Sequence, residues 1–421
     1  MKTEIKRRDF VTKCFKAGVT GCALLYSNSK NIPWDLINPV NPKTIKSVLK
    51  ISLFLLLLIT TSIGYSQTNH PEPLTLKIGS KAPDFSLPGI DGKTYTLKSF
   101  EKASVLVIVF SCNHCPTAQA YEDRIIAIEK NYRSKGVSLV MISPNSTTAL
   151  NYSELGYTDK GDSFEEMKLR AKDKGFTFPY LYDGDNQKCA LAYGPVATPH
   201  CFVFDKNRVL CYAGRVDGSE KPGTGNGEDL KNAIDEVLAG KPVTTPTTKV
   251  FGCSIKWSWK GEYTQKLYKQ WAELPVTLED IDINGIKELV KNSSSGKLRL
   301  INIWATWCGP CVTEFPDLVI IDRMYRGRKF EFITISADKG AKKQDVLAFL
   351  KQHEASNKNY IFNKDDVYQM IEAIDPEWKG GLPYTMVIEP GGNIIYRKQD
   401  IIDPAQMKKL IVDDKFIGRY Y

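Results

Sequence analysis

The bulk of this sequence has little net charge. Of the 421 residues, 57 are Lys or Arg and 48 are Asp or Glu, which gives a formal net charge of +9. Residues 1–50 hold ten basic and three acidic residues, so +7 of that charge lies in the N-terminal segment. The other 371 residues contribute only +2 and lack the basic stripe that a nucleic-acid surface needs. We therefore expect no nucleic-acid partner.

Ligands for a metal are also scarce. The chain has four histidines, at positions 70, 114, 200 and 353, and its ten cysteines are not scattered in the manner of a dense disulfide framework. Four of the cysteines form two C-x-x-C pairs, Cys112/Cys115 and Cys308/Cys311. We expect no metal and no cofactor other than redox-active disulfides. One alternative stays open, in which Cys112, Cys115 and His114 or His200 hold copper or zinc.

The N-terminal 67 residues are predicted to be an export leader. Residues 48–65 form an apolar run that follows several lysines and precedes small residues before Gln67. About fifteen apolar residues are short for a spanning helix of roughly 20, which favours a cleaved signal over a membrane anchor. Residues 6–10 (KRRDF) resemble a twin-arginine signal, and residues 1–40 could instead be an appended start. We expect the protein in the bacterial periplasm, or anchored in the membrane by its leader and facing the periplasm.

Two segments of the chain repeat one βαβ pattern. Ala103–Phe110 is a near-continuous apolar run, as expected of a strand buried on both faces, and Leu298–Trp304 is predicted to be the corresponding strand of the second copy. Each run is followed by a C-x-x-C pair and a helical pattern, and later by a proline directly before another strand, Pro199 and Pro383. The pattern predicts two α/β domains, at 74–262 and 276–421.

The position of the C-x-x-C pairs indicates redox chemistry. A cysteine at a helix N-terminus is stabilised as a thiolate by the unpaired N–H groups and the helix dipole. We expect this role for the first cysteine of each pair, while the second resolves mixed disulfides. A facing proline held cis, Pro199 or Pro383, would leave neighbouring backbone free to pair with a substrate.

The second pair carries the more specific motif. Trp307–Cys311 reads WCGPC and is followed by Glu314 and Pro316. The segment resembles thioredoxin-fold oxidoreductases, and more narrowly the exported group that serves cytochrome c maturation. That resemblance implies catalytic roles for Trp307, Cys308, Cys311, Glu314 and Pro383. It also implies a membrane electron donor for this pair, and protein thiols or disulfides of the cell envelope as partners.

The first domain resembles the redoxin branch of peroxiredoxin-like proteins. The resemblance rests on Gly79–Leu87, on CNHCP-x-A-x-x-Y-E-x-R at Cys112–Arg124, and on the tail Gly252–Trp257. Together the two resemblances imply two tandem thioredoxin folds, each a central mixed sheet flanked by helices. Cys253 in the tail is a candidate resolving thiol, with a structural role as the alternative.

The sequence lacks the motif that surrounds a peroxidatic cysteine, which argues against peroxidase activity. Peroxidatic cysteines lie in P-x-x-x-(T/S)-x-x-C, and neither Cys112 nor Cys115 is preceded by the required proline and hydroxyl. A thiol peroxidase with a built-in thioredoxin reductant therefore remains the alternative function, behind thiol–disulfide exchange.

His114 indicates that the two pairs differ in reduction potential. An imidazolium beside the first thiol lowers its pKa and stabilises the reduced form. Pairs that contain His have potentials of about −180 to −120 mV, whereas C-G-P-C is near −270 mV in thioredoxin. We therefore expect electrons to pass from Cys308/Cys311 to Cys112/Cys115 or to envelope protein disulfides.

Overall fold

The computed structural model describes residue 70 and residues 72–184, 186–364 and 366–419. The predicted leader, residues 1–67, and its apolar run at 48–65 lie outside the described residues. In the described ranges, no helix has the length and apolar character needed to cross a membrane.

The first domain is built around a five-stranded mixed sheet. Its strands are β1 (Ser86–Pro88), β2 (Thr94–Thr96), β3 (Val105–Phe110), β4 (Val137–Ser143), β5 (Tyr180–Tyr182), β6 (Ala197–Thr198), β7 (His200–Phe204), β8 (Leu210–Gly214) and β9 (Cys253–Ser254). The helices are α1 (Pro116–Tyr132), α2 (Phe164–Lys174), α3 (Lys188–Tyr193), α4 (Glu228–Leu238) and α5 (Gly261–Ala272). The sheet has the order β5-β4-β3-β7-β8, while β1 pairs with β2 and β6 with β9. Strand β3 runs parallel to β4 and antiparallel to β7.

The second domain has the same topology around a sheet of six strands, one more than in the first domain. Its strands are β10 (Glu279–Ile281), β11 (Leu298–Trp304), β12 (Phe330–Ser336), β13 (Lys358–Phe362), β14 (Tyr384–Ile388) and β15 (Ile394–Gln399). Its helices are α6 (Ile283–Lys291), α7 (Gly309–Tyr325), α8 (Lys343–Gln352), α9 (Val367–Ile374) and α10 (Pro404–Asp413). The sheet order is β10-β13-β12-β11-β14-β15, and β11 is parallel to β12 and antiparallel to β14.

The central strands explain the apolar runs of the sequence. In β3, Val105, Val107 and Val109 pack into one core, and the alternate residues pack into a second core on the other face of the sheet. Successive side chains of a strand point to opposite faces, so a strand covered on both sides is apolar at most positions. Strand β11 is also buried throughout, and its two polar residues are bonded inside the protein, Arg299 to Glu331 and Asn302 to Glu314 and Thr385. The predicted fold, two tandem thioredoxin folds of α/β class, is confirmed.

The two domains contact each other through the C-terminal end of α7 and the end of the chain. The Tyr325 hydroxyl donates to the carbonyl of Thr158 at 2.8 Å. Arg419 pairs with Asp159 at 2.8 Å, close to the loop that precedes α2. Helix α5, the last helix assigned to the first domain, packs on the rest of that domain through Tyr268, which stacks on Tyr152 with ring centroids 5.1 Å apart. The limits 74–262 and 276–421 stay predictions.

Candidate active sites

The two C-x-x-C pairs meet their helices differently. In the second domain, the first cysteine, Cys308, is the N-cap of α7. In the first domain, the N-cap of α1 is the second cysteine, Cys115, and Pro116 is the first helical residue. The prediction that the first cysteine lies at the helix N-terminus is therefore wrong for this domain. The reason is Pro116, since proline has no N–H to donate and a backbone preset for the first helical position.

Cys115 is the acidic thiol of the first site. Its Sγ accepts from the backbone N–H of Cys253 at 3.2 Å and from that of Ala118 at 3.4 Å. Burial alone would raise the pKa of Cys115, but the thiols of Cys112 and Cys253, these N–H groups and nearby His114 hold it well below its usual value. The lower thiol pKa of the first pair therefore belongs to Cys115, which in its protonated form can donate to the Thr198 carbonyl at 3.3 Å.

Cys112 holds its proton. Burial, together with donation of its thiol to Cys115, raises the pKa of Cys112 well above its usual value. Its Sγ lies 3.1 Å from the hydroxyl of Thr198, in the loop whose Thr198–Pro199 peptide bond is cis. The prediction that His114 lowers the pKa of the first thiol is corrected, because the acidic thiol is the second one.

His114 is buried and paired with an aspartate that the sequence did not reveal. Its Nδ1 lies 2.6 Å from Oδ2 of Asp162. Burial would lower the pKa of His114, but the charge and hydrogen bond of Asp162 raise it above its usual value. Asp162 also accepts from the side chain of Asn145 and from the backbone N–H groups of Asn113 and His114. No local pattern marks Asp162, which lies 48 residues from His114 in the chain.

A third cysteine joins the first site. Strand β9 pairs with β6 so that Cys253 stands opposite Thr198. The approach is close enough that a Cβ on Gly252 would lie 2.0 Å from the carbonyl oxygen of Thr198. Gly252 also has a φ of +143°, which favours glycine.

One group of side chains at this site could hold a metal ion. Cys112, His114 and Asp162 each place one ligand atom within 4.8 Å of the others, and Nε2 of His114 has no hydrogen-bond partner among the described residues. His200, the other histidine considered, is not in this group; its Nδ1 accepts from Val196 at 3.3 Å, and burial lowers its pKa to about 3.

The second pair forms a disulfide, Cys308–Cys311. The Sγ of Cys308 accepts from the backbone N–H of Cys311 at 3.3 Å. Trp307 next to it is 70% exposed, and the facing Leu382–Pro383 peptide bond is cis. Helix α7 begins at Gly309, directly after Cys308.

Glu314 lies on α7 one turn after Cys311, on the same side of the helix. It is buried, and burial raises its pKa to about 7 although Ile402 N–H and Asn302 donate to it. The Asn302 amide also donates to Thr385 at 2.9 Å. A carboxyl with a pKa near 7 can exchange a proton with a neighbouring thiol at neutral pH.

The Redoxin family model matches the chain twice, over residues 77–234 and 272–411. The chain belongs to the Redoxin family. One curated relative of this redoxin is thiol-disulfide oxidoreductase ResA of Bacillus subtilis, 29% identical over 114 residues, which are 27% of this chain and 59% of the relative. Another is thiol-disulfide oxidoreductase ResA of Geobacillus thermodenitrificans, 25% identical over 187 residues, 44% of this chain and 92% of the relative. The chain thus spans about three fifths of the first relative and nine tenths of the second.

Solved structures similar to this redoxin include a hypothetical protein from Sinorhizobium meliloti. It is 33% identical and is matched over 44% of this chain and 96% of its own, with a TM-score of 0.39. The curated relatives confirm the predicted enzyme class, an oxidoreductase.

Proposed function

We propose that this redoxin is a thiol–disulfide oxidoreductase with two redox-active pairs, Cys112/Cys115 and Cys308/Cys311. The observation that carries the proposal is common to both domains. A cysteine caps the helix that follows the central strand, and its partner lies three residues away. Such a pair can cycle between dithiol and disulfide. No cofactor beyond these disulfides is needed.

At the second pair, the reduced Cys308 thiolate attacks a substrate disulfide and forms a mixed disulfide, releasing one substrate thiolate. Cys311 then attacks the sulfur of Cys308, so that the Cys308–Cys311 bond forms and the second substrate thiolate leaves. Glu314 takes the proton that Cys311 loses. Exposed Trp307 and the loop at Pro383 provide the surface on which a protein substrate docks.

At the first pair, the surroundings favour the reduced form. Stabilising the Cys115 thiolate by N–H donors and by the His114–Asp162 pair makes the disulfide easier to reduce. A potential gap of roughly 90–150 mV from the second pair corresponds to about 4–7 kcal/mol. We therefore propose that electrons flow from Cys308/Cys311 to Cys112/Cys115, or to envelope protein disulfides.

The proposed site of action is outside the cytoplasm. The leader-like residues 1–67 support export, and the resemblance of WCGPC-x-x-E-x-P to the cytochrome-c-maturation group supports envelope thiol chemistry. The names of the ResA relatives support thiol–disulfide exchange as the reaction. A membrane electron donor would re-reduce Cys308/Cys311, and the leader could hold the protein at the membrane.

Thiol peroxidase activity is the second candidate. The observation in its favour is the lowered pKa of Cys115, whose Sγ accepts from the backbone N–H groups of Cys253 and Ala118. The missing proline and hydroxyl of the peroxidatic motif count against it. Peroxide consumption by the C308S/C311S protein, with dithiothreitol as reductant, distinguishes the two functions.

The first test is the reduction potential of each pair. Glutathione titration of the full chain, with the other pair changed to serines, gives both values. The proposal expects the Cys112/Cys115 potential to be higher by about 90 mV or more. Equal or reversed potentials would contradict the direction of electron flow, and absence of either disulfide would contradict the function. Metal analysis of the same samples tests the Cys112, His114 and Asp162 group.

A further inference from the structure

Three thiols meet at the first site, but they differ in access to solvent. Cys112 is 2% and Cys115 is 0% exposed, whereas Cys253 is half-buried. Thiol–disulfide exchange requires one sulfur to attack another directly. A thiol carried by another protein domain reaches a half-buried sulfur more easily than a sulfur with almost no exposed surface. Exchange between the buried pair and a protein is therefore easier through a thiol nearer to the surface.

Cys253 contacts the buried pair through both its backbone and its side chain. Its N–H donates to Cys115 Sγ at 3.2 Å, and its side chain packs against Cys112, Cys115 and Ala118. The pairing of β9 with β6 holds this contact. Because a Cβ at Gly252 would overlap the Thr198 carbonyl, the glycine before Cys253 is what allows β9 to lie so close.

We propose that Cys253 is the thiol through which an external protein dithiol reduces the buried Cys112–Cys115 disulfide. The inference rests on the proposed function, in which that pair cycles between dithiol and disulfide. The external dithiol can be the Cys308/Cys311 pair of this chain or that of another redox protein.

The reaction balances in three exchanges. Cys253 first attacks the sulfur of Cys115, so the Cys115–Cys253 bond forms, the Cys112–Cys115 bond breaks, and Cys112 takes the proton of Cys253. A thiolate of the external dithiol then attacks Cys253 and expels Cys115 as a thiolate. The second thiol of the external molecule finally attacks the first, closes its own disulfide, and gives its proton to Cys253.

The net result is two electrons moved from the external dithiol to Cys112 and Cys115. Cys253 ends each cycle as a free thiol.

The test uses the full chain with C308S/C311S, oxidised at Cys112–Cys115, and reduced thioredoxin as the external dithiol. The loss of the disulfide is followed by alkylation and mass spectrometry. Cys253→Ser should slow reduction by about tenfold or more. The control is Cys211→Ser, because Cys211 is also half-buried but bonds only locally, to the Val209 carbonyl at 3.4 Å. Its rate should be unchanged.

A trapping experiment leaves Cys253 in place and so does not depend on how its variant folds. Thioredoxin with its second cysteine changed to serine should form a mixed disulfide that maps to Cys253. A mixed disulfide on Cys112 or Cys115, or an unchanged rate in Cys253→Ser, would overturn the inference alone. Failure of the parent protein to form Cys112–Cys115 at all would overturn the proposed function, and the inference with it.

Discussion

Pro116 follows the second cysteine of its pair, whereas Pro310 stands between the two cysteines of the other pair. Each proline lies in the first turn of its helix, and so it determines which sulfur becomes the N-cap. The C-x-x-C spacing alone predicts that one cysteine of the pair forms a thiolate. It does not determine which of the two cysteines has the lower pKa. The residue that adjusts this thiolate, Asp162, comes from a distant loop and has no sequence signal.

Replacing Asp162 by Asn should raise the pKa of Cys115. Without the carboxylate, the pKa of His114 falls, and the imidazolium that favours the Cys115 thiolate is lost near neutral pH. We expect an upward shift of about one unit, measured by ultraviolet thiolate absorbance against pH in the C308S/C311S protein. Asp173→Asn is the control, since Asp173 pairs with Lys160 on the surface. An unchanged titration in Asp162→Asn would exclude this coupling.

Glu314 should give the second pair a pH-dependent rate. With a pKa of about 7, it becomes a proton acceptor for Cys311 as the pH rises through neutrality. Glu314→Gln should slow the resolution of mixed disulfides at Cys308 about tenfold or more above pH 7 and flatten the profile. Stopped-flow measurement of thiol release from a model disulfide gives the rate. The exposed Glu288→Gln serves as control, and a Gln variant with the parent profile would rule out this role.

The same carboxyl should make stability depend on pH. Its pKa is about 7 in the folded protein against an ordinary 4.5, so the folded state binds more protons between these values. The stabilisation is complete below pH 4.5 and is lost as the pH rises through 7. A loss on the order of 3 kcal/mol follows. Urea unfolding at pH values across this window should show the loss of stability in the parent protein, and Glu314→Gln should remove the pH dependence. If the free energy of unfolding still falls with pH in the variant, other titratable groups cause the dependence.

At the scale of elements, the strongly patterned parts were predictable and the short ones were not. Strand β3 stands out as an apolar run because both of its faces are covered, and β11 is mostly apolar for the same reason. Strand β9 has only two residues, too few for any periodicity. It reaches the site by pairing with a strand far away in the chain, and so its contact with Cys115 follows from the fold alone.

Gly252→Ala should separate β9 from β6. The added Cβ would meet the Thr198 carbonyl oxygen, and moving the strand away removes the Cys253 N–H from Cys115. We expect a higher Cys115 pKa by thiolate absorbance, together with slower reduction by thioredoxin. Gly223→Ala is the matched control, because Gly223 also has a positive φ, +71°, but a Cβ there has no atom within 4 Å. If both variants change the Cys115 pKa and the rate of reduction equally, backbone strain alone explains the effect and the β9–β6 contact does not.

At the scale of the whole molecule, the two domains touch at the C-terminal end of α7, whereas Cys308 and Cys311 lie at its N-terminal end. This contact therefore does not bring the two C-x-x-C pairs together for electron transfer. The helix has 17 residues, which is about 26 Å at 1.5 Å per residue. Cys308 caps its first turn, while Tyr325 at its last turn contacts the first domain. Trp307 beside the pair is exposed. A relay within one chain therefore requires the domains to separate.

Weakening the domain contact should accelerate an internal relay. Arg328 donates to the carbonyl of Gly156 at 2.5 Å, and Arg419 pairs with Asp159. The R328A/R419A protein should transfer electrons between its pairs several-fold faster, at a rate independent of protein concentration. Rapid-quench alkylation after reduction of Cys308/Cys311 measures this rate. Arg133→Ala is the control, as Arg133 bonds only within its domain, to Glu129 and Thr177. A rate proportional to concentration would show transfer between molecules.

The burial of Cys115 affects how easily this thiol is oxidised irreversibly. A thiolate open to solvent is oxidised stepwise to sulfinic and sulfonic acids, which are not readily restored. Cys115 has no exposed surface and two thiols in contact with it. Any sulfenic acid formed there meets a neighbouring thiol before a second oxidant arrives, and condenses to a disulfide that ordinary reductants repair. The burial of the first site therefore slows access to Cys115 and protects it from irreversible oxidation.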